Sequence, residues 1–171
     1  VAKILAIKEA KLDTFNAKAY ATAIAQAAKE ANAQVVLVSS SADSKFLSPL
    51  LAAQLGASFA PNVVALPEST APFVVKRTAF SNKGFAHTEL TGSIKMIGVA
   101  NNSYGIHEKE TSASVTAFSP NLEDRLFATK TTSVDKVSGK ATIADADVVV
   151  SGGRGLKGPE NWGLIEDLAN V

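Results

Sequence analysis

The residues with the clearest potential for chemistry form a glycine-rich loop near the end of the 171-residue sequence. Residues 148–150, three consecutive valines, predict a buried strand. A sharp turn is expected after it, at Gly152, Gly153 and Gly155. Because glycine has no Cβ, it can adopt positive φ and let a ligand approach backbone N–H groups. Arg154 adds a permanently charged fork that could grip a phosphate or a ring carbonyl with two parallel hydrogen bonds.

A helix is predicted directly after this loop. Pro159 suits the first turn of a helix. Trp162, Ile165 and Leu168 then recur at every third position along one side. The first N–H groups of a helix have no partner within it, and the helix dipole is positive at that end. The strand, the loop and the helix together therefore predict an anion-binding site.

The loop pattern by itself leaves two interpretations open. It matches neither the dinucleotide-binding pattern G-x-G-x-x-G nor the P-loop pattern G-x-x-x-x-G-K-[ST]. Glycine most often marks turn geometry, so a plain tight turn fits the pattern as well as a ligand-binding loop does. In the first case Arg154 would be a surface residue paired with Glu160 or Asp167.

No catalytic or metal-binding set is predicted elsewhere in the sequence. The two histidines, His87 and His107, are far apart and no other ligand type recurs at metal spacing, so we expect both at the surface. Ser151 lacks the G-x-S-x-G surroundings of a nucleophile elbow. The absence of cysteine removes disulfides, thiolate nucleophiles and cysteine metal sites together.

The composition argues against nucleic acid and membrane as partners. Lysine and arginine total 17 against 16 acidic residues, and no basic run could neutralise a row of phosphates. No apolar stretch approaches the roughly 20 residues that span a bilayer, and the N-terminus has no export pattern, so we predict no membrane insertion. An intracellular location fits best with the absence of cysteine. The sequence begins at Val1 and stops at Val171 as a helical pattern starts, which suggests a processed or partial chain.

Two strand–helix units come before the loop. Residues 4–7 predict a strand and residues 15–31 an alanine-rich helix. Residues 34–39 predict a second strand, and their lack of alternation is typical of a strand covered on both faces. The serine-rich segment 39–44 supplies helix-capping side chains, and Gly56 suits the end of that second helix.

The middle of the chain is rich in β-type runs. Residues 73–80, 85–90 and 94–99 are separated by small polar links, which favours hairpins over helical crossovers. Residues 113–118 and 126–132 continue in the same manner.

These patterns predict an α/β fold class: three layers, a mostly parallel sheet with helices on both faces, and an antiparallel hairpin extension, as in Rossmann-like folds. The polar stretch that follows the last β-type run suggests a domain boundary near residue 137. Residues 1–137 would then form an N-terminal α/β domain, and residues 138–171 the truncated beginning of a second domain.

The amino-acid sequence of the loop resembles a family signature. It reads Val149-Val150-Ser151-Gly152-Gly153-Arg154-Gly155-Leu156-Lys157, followed by Glu160-Asn161-Trp162. This is similar to V-V-S-G-G-R-G-L-K and E-N-[FW], which open the flavin-binding domain of electron transfer flavoprotein alpha subunits. Earlier segments, such as the Ala60-Pro61 turn and the run 75–80 with Arg77, resemble the family more loosely. The chain departs from it at Gly158-Pro159, where many relatives have serine-glycine.

The resemblance implies an electron carrier rather than an enzyme. Family members are alpha–beta heterodimers that hold one FAD, accept electrons from acyl-CoA and related dehydrogenases and pass them to a quinone-linked oxidoreductase. By resemblance, Arg154 would contact the FAD, with Gly152, Gly153 and Gly155 shaping the loop. Residues 1–137 would be a scaffold that docks on the beta subunit.

The resemblance also implies that this chain alone does not retain FAD, because most FAD contacts in the family come from later sequence. It places the protein in the bacterial cytoplasm, or in the mitochondrial matrix of a eukaryote. The alternative is a free-standing adenine-nucleotide-binding α/β module in which the glycine loop holds ATP or AMP.

Overall fold

The computed structural model describes residues 1–135, 143 and 146–171 of the chain. The chain divides into two compact units, Val1–Val134 and Asp135–Val171. The predicted domain boundary near residue 137 lies outside the described residues.

Two α-helices of the first unit begin and end at residues suited to capping. Helix α1 (Ala17–Glu30) begins after Asn16, whose side chain accepts hydrogen bonds from the first-turn amides. Helix α2 (Ala42–Leu55) begins after Ser41, whose Oγ accepts from a first-turn amide. It ends at Gly56, which has the left-handed φ of +61° that favours glycine. Both predicted helices are confirmed, as are the serine-rich start and the glycine end of the second.

The described strands form two sheets. The strands are β1 (Lys3–Ala6), β2 (Val35–Ser39), β3 (Ser58–Val63), β4 (Ser69–Thr70), β5 (Phe73–Ala79), β6 (Gly84–Glu89), β7 (Lys95–Val99) and β8 (Ser114–Ala117). In the six-stranded sheet, β7 is parallel to β2 and to β3, and β5 is antiparallel to β3, β4 and β6. A separate two-stranded parallel sheet pairs β1 with β8. The predicted fold class is confirmed: a mixed α/β fold with a mostly parallel sheet flanked by helices and an antiparallel hairpin, consistent with a three-layer Rossmann-like fold.

One of the two predicted hairpins forms. Strands β5 and β6 pair as expected, with Lys76 opposite His87. Strand β7 does not continue as a second hairpin but lies between β2 and β3. Burial explains this central position. Met96 and Ile97 point to opposite faces of β7 and both are at most 4% exposed, so the strand is covered on both faces.

The structure differs from the predicted strands at two further places. Residues 126–132 form no strand; a 3₁₀ helix covers Asp124–Phe127 instead. Strand β3 was not predicted, because its segment contains Pro61 and Asn62, which are normally depleted in strands. The structure accommodates them with a register shift between Ala60 and Val63.

The core of the first unit lies between the helices and the sheet. Leu47, Leu51 and Leu55 of α2 pack with Met96 of β7 in one cluster. Strand β2 contributes to it on one face only, because Leu37 on the other face is 64% exposed. The prediction that β2 is covered on both faces is therefore wrong within the described residues, where the two helices pack on a single side of this strand.

The second unit holds helix α3 (Gly163–Ala169) and two 3₁₀ turns, Arg154–Leu156 and Pro159–Asn161. The helical segment after Pro159 was predicted, but the valine strand before the loop was not found, and Val148 is 81% exposed. A strand needs a neighbour to pair its backbone groups, and no described segment of this unit pairs with residues 148–150. Among the helices of the described residues, none combines the length and the apolar character needed to cross a membrane.

Candidate functional site

The glycine loop is a compact helical turn braced by its own backbone. Leu156 N donates to Gly153 O at 3.0 Å, and Lys157 N donates to Arg154 O at 3.1 Å. The side chain of Asn161, in the next 3₁₀ turn, donates from Nδ2 to Leu156 O at 2.8 Å. These bonds tie the loop to the segment that leads into α3, so the loop backbone has a defined shape.

The residue of this loop with positive φ is Lys157, with φ +66° and ψ −43°. Among the described glycines, positive φ occurs at Gly56 and Gly105, so it is not what the loop glycines provide. Lys157 takes positive φ because it is the central residue of a γ-turn, in which Gly158 N donates to Leu156 O at 2.8 Å.

The loop glycines serve two other purposes. A Cβ on Gly152 would collide with Leu156 Cδ1 and lie 3.2 Å from Ile165 Cδ1, so a side chain here would force these two residues to shift where the loop packs on α3. At Gly153 and Gly155 a Cβ would meet nothing within 4 Å, so their backbone is open to an approaching ligand. The absence of Cβ thus matters for packing at the first position and for access at the other two.

A cavity of about 550 Å³ lies against the loop. It brings together most of the predicted site, namely Gly152, Gly153 and Arg154, while Gly155 is beside it but does not line it. The full lining is Gly152, Gly153, Arg154, Leu156, Lys157, Gly158, Pro159 and Trp162. The charged end of a planar anionic molecule could bind Arg154 and Lys157, and its ring could pack against apolar side chains such as that of Trp162.

The two cations of this cavity are exposed, and within the described part of the chain neither takes part in an ion pair. The interpretation in which Arg154 pairs with Glu160 or Asp167 therefore has no support in these residues. Lys157 and Trp162 line the cavity although only Arg154 was predicted to contact a ligand. The signal for Lys157 was its position three residues after Arg154, which places both on one side of a helical turn.

The two histidines do not contribute to a site. His87 Nδ1 lies 3.2 Å from Glu68 Oε2 and its side chain is 56% exposed, so its predicted surface position is confirmed. His107 is exposed as well. Over the residues that the structure describes, no group of three or more His, Cys, Asp and Glu side chains could hold a metal ion.

Comparisons with known proteins give a consistent result. The family described as "Electron transfer flavoprotein domain" matches residues 1–123. The chain is 27% identical to electron transfer flavoprotein subunit alpha of Bacillus subtilis over 171 residues, covering 99% of this chain and 52% of that protein. It is 26% identical to the protein of the same name from Syntrophomonas wolfei over 99% of this chain and 54% of that protein. A probable mitochondrial electron transfer flavoprotein subunit alpha of Caenorhabditis elegans is 28% identical, over 99% of this chain and 50% of that protein. The chain thus spans about half the length of the curated relatives it matches.

Proposed function

The chain belongs to the electron transfer flavoprotein family, and from this premise we propose that it is the N-terminal part of an alpha subunit that carries electrons through a bound FAD. The observation that carries the proposal is the cavity beside the glycine loop, in which Arg154 and Lys157 have no ion-pair partner among the described residues. Two cations that pair with no described carboxylate, beside an open backbone, fit an anionic cofactor better than they fit a plain turn.

In this proposal each loop residue has a distinct part in holding FAD. Arg154 contacts the cofactor, and Gly153 and Gly155 let it approach the main chain, because no side-chain atom would stand in the way. Gly152 keeps the loop packed on α3. When bound, FAD supplies the electron-accepting and electron-donating chemistry, while the cation favours the more negative, reduced cofactor.

The described cavity is one wall of a cofactor site. Its lining comes from a single stretch, Gly152 to Trp162, and it is open to solvent on the other side. We therefore propose that this chain by itself does not retain FAD, and that residues outside it complete the site in the full alpha subunit. The proposed domain division at residues 1–137 and 138–171 agrees with this arrangement.

The first unit provides a surface for the second subunit. An almost wholly apolar cavity of about 510 Å³ lies on the exposed side of β2. We use the term apolar sheet face for the residues on this side that line the cavity, namely Val35, Leu37, Leu66, Phe73, Val99 and Tyr104. Leu37 is 64% exposed and Leu66 75% exposed. Contiguous exposed apolar surface of this kind marks interaction sites. Since the relatives are alpha subunits by name, the proposed occupant is the beta subunit.

The wider role follows from the family. The complete alpha–beta heterodimer accepts electrons from acyl-CoA and related dehydrogenases and passes them to a quinone-linked oxidoreductase, without turning over a substrate itself. The compartment in this proposal is the cytoplasm of a bacterium or the mitochondrial matrix of a eukaryote, as in the relative named mitochondrial.

The test uses the complete alpha–beta heterodimer together with the 171-residue chain. Arg154→Gln in the heterodimer should weaken FAD retention about tenfold, because a charge-assisted hydrogen bond is lost. Arg125→Gln, which removes an exposed cation paired with Glu123, is the matched control and should leave retention unchanged. The isolated chain should be colourless. Tight binding of ATP or AMP to the isolated chain, abolished by Arg154→Gln, would instead favour the nucleotide-module alternative.

A further inference from the structure

A second polar cavity lies in the first unit, at the carboxyl end of strand β2. Its volume is about 340 Å³, and it is bounded by the start of α2 and by the ends of β3 and β7. In open α/β sheets, ligands bind in the crevice outside the carboxyl ends of the parallel strands. The position of this cavity is therefore one where a ligand site is expected, and its lining decides what kind.

The most informative lining residue is Ser48. The residue is only 3% exposed and lines the cavity, and its hydroxyl makes none of the side-chain hydrogen bonds found among the described residues. No side-chain nitrogen or oxygen in the described residues is at once fully enclosed and unpaired, so the Ser48 oxygen keeps access to the cavity it lines. A buried hydroxyl that faces a cavity without a partner is disfavoured unless something polar occupies the cavity.

A second hydroxyl next to it is also available. Ser41 Oγ donates to Ser44 Oγ at 3.0 Å and accepts from Ser44 N at 3.3 Å. Because Ser44 Oγ accepts in that bond, its own proton is left for another acceptor. Ser44 is 8% exposed and lines the same cavity. Ser44 and Ser48 are four residues apart on α2, so both hydroxyls lie on one face of the helix.

The charge around the cavity favours an anion. The cavity lies beside the first turn of α2, at the positive end of the helix dipole. The amides of Ser44 and Lys45 are already bonded to Ser41, so the donors available to a ligand are side-chain groups. Lys45 adds an exposed ammonium group, and Asn62 adds an amide. No carboxylate is among the lining residues, although Asp43 lies in the first turn of α2. The lining thus offers hydroxyl and amide groups that can donate, and one positive charge.

The far wall of the cavity packs closely at Gly98. A Cβ on Gly98 would lie 3.3 Å from Pro61 Cα and 3.5 Å from Phe59 Cε2. The register shift in β3 brings Asn62 to the cavity with φ +55°. Bulges of this kind re-aim side chains. The wall is therefore apolar except for one amide.

We propose that this cavity binds the phosphate group of a small phosphorylated molecule, through the Ser44 and Ser48 hydroxyls and the amide of Asn62, with Lys45 at the rim. The site is in the first unit and uses none of the residues of the glycine loop. This proposal can therefore be tested independently of the flavin proposal.

The test is an NMR titration of the amide signals of the 171-residue chain at constant ionic strength. Inorganic phosphate is added first, and ribose 5-phosphate in a second series. We expect saturable shifts confined to the start of α2 and to Asn62 and Gly98. Equal affinities would identify free phosphate as the source of the anion, and tighter binding of the ester would identify a phosphate ester.

Two variants make the proposal falsifiable. Ser48→Ala should weaken phosphate binding about tenfold, equivalent to ~1.4 kcal/mol, without lowering the urea midpoint in phosphate-free buffer. Lys45→Gln, at an exposed position, should weaken binding and reduce its dependence on salt. Ser112→Ala, at an exposed serine outside the cavity, is the matched control. Absence of saturable shifts at millimolar phosphate, or an affinity that neither variant changes, would overturn the proposal and leave water as the partner of Ser48.

Discussion

The backbone of Gly152 lies against the side chain of Leu156, so closely that a Cβ on this glycine would collide with Leu156 Cδ1. Ile165 of α3 is next to the same point, 3.2 Å from where that Cβ would be. The contact joins the glycine loop to α3. The position of Arg154, two residues further on, depends on it.

Gly152→Ala should therefore disturb the loop and α3 together. Crowding of this kind costs about 1–3 kcal/mol, and the flexible end of Leu156 absorbs part of it. Gly155→Ala is the matched control, because a Cβ there meets nothing within 4 Å. Hydrogen exchange of the amides of α3 measures the effect, and we expect faster exchange in the first variant alone. Equal exchange in both variants would contradict the packing role of Gly152.

Removal of the Arg154 charge should change the redox potential of the flavin in the complete heterodimer. A cation near the cofactor stabilises its more negative, reduced form, so Arg154→Gln should lower the potential. If the charge favours reduction by ~1.4 kcal/mol, the shift is about 60 mV for a one-electron step and about 30 mV for a two-electron step. Spectroelectrochemical titration measures it. Arg154→Lys should recover much of the shift, since it keeps the charge; a potential that is the same in all three proteins would remove Arg154 from the cofactor site.

Substitution on the apolar sheet face should weaken association with the beta subunit. Leu37 is 64% exposed in the chain, and burial of its side chain in an interface is worth about 1.5–3 kcal/mol, so Leu37→Ser should raise the dissociation constant about tenfold or more. Phe46→Ser is the matched control, because Phe46 is 68% exposed but lies on α2, away from this face. Isothermal titration calorimetry with the beta subunit distinguishes them. An equal loss in both variants would place the interface elsewhere.

One surface ion pair should give the first unit a pH-dependent stability. Lys11 Nζ lies 2.8 Å from Asp124 Oδ1, and this hydrogen bond holds the pKa of Asp124 below its ordinary value and the pKa of Lys11 above its own. A lowered carboxyl pKa stabilises the folded state above the unfolded-state pKa of about 3.9, and that contribution is lost as the pH falls through the folded-state pKa. The raised lysine pKa contributes below about pH 10.4 and is lost as the pH rises through its folded-state value.

The Asp124→Asn variant tests this pair. Its urea midpoint should be slightly lower than that of the parent protein at neutral pH, because exposed ion pairs contribute little. The difference should vanish in acid. Glu110→Gln, at an exposed carboxylate of the same unit, should show no such pH-dependent difference. A gap between parent and Asp124→Asn that persists in acid would show that the effect is not electrostatic.

The features of the fold that the sequence predicted correctly are those that depend on neighbours along the chain. The serine start and the Gly56 end of α2 are examples, because a capping side chain bonds to an amide within three residues and a left-handed C-cap needs a glycine at one position. The β5–β6 hairpin is another, since a short polar link decides that pairing.

The tertiary structure decided what depends on distant partners. Nothing local in β7 indicates that it pairs with β2 and β3, because a strand's neighbours are set by the whole sheet. The valines before the glycine loop have the composition of a strand but no described segment to pair with.

The candidate site shows the same division. The sequence alone identified the residue types of the site, three glycines and an arginine. It also showed that these residues resemble the flavin-binding signature of electron transfer flavoprotein alpha subunits. Only the structure separated Gly152, which packs closely against Leu156 and Ile165, from Gly153 and Gly155, which leave the backbone open, and assigned positive φ to Lys157. The physical reason is that side-chain chemistry is a property of each residue, whereas room, exposure and pairing are properties of what the folded chain places around it.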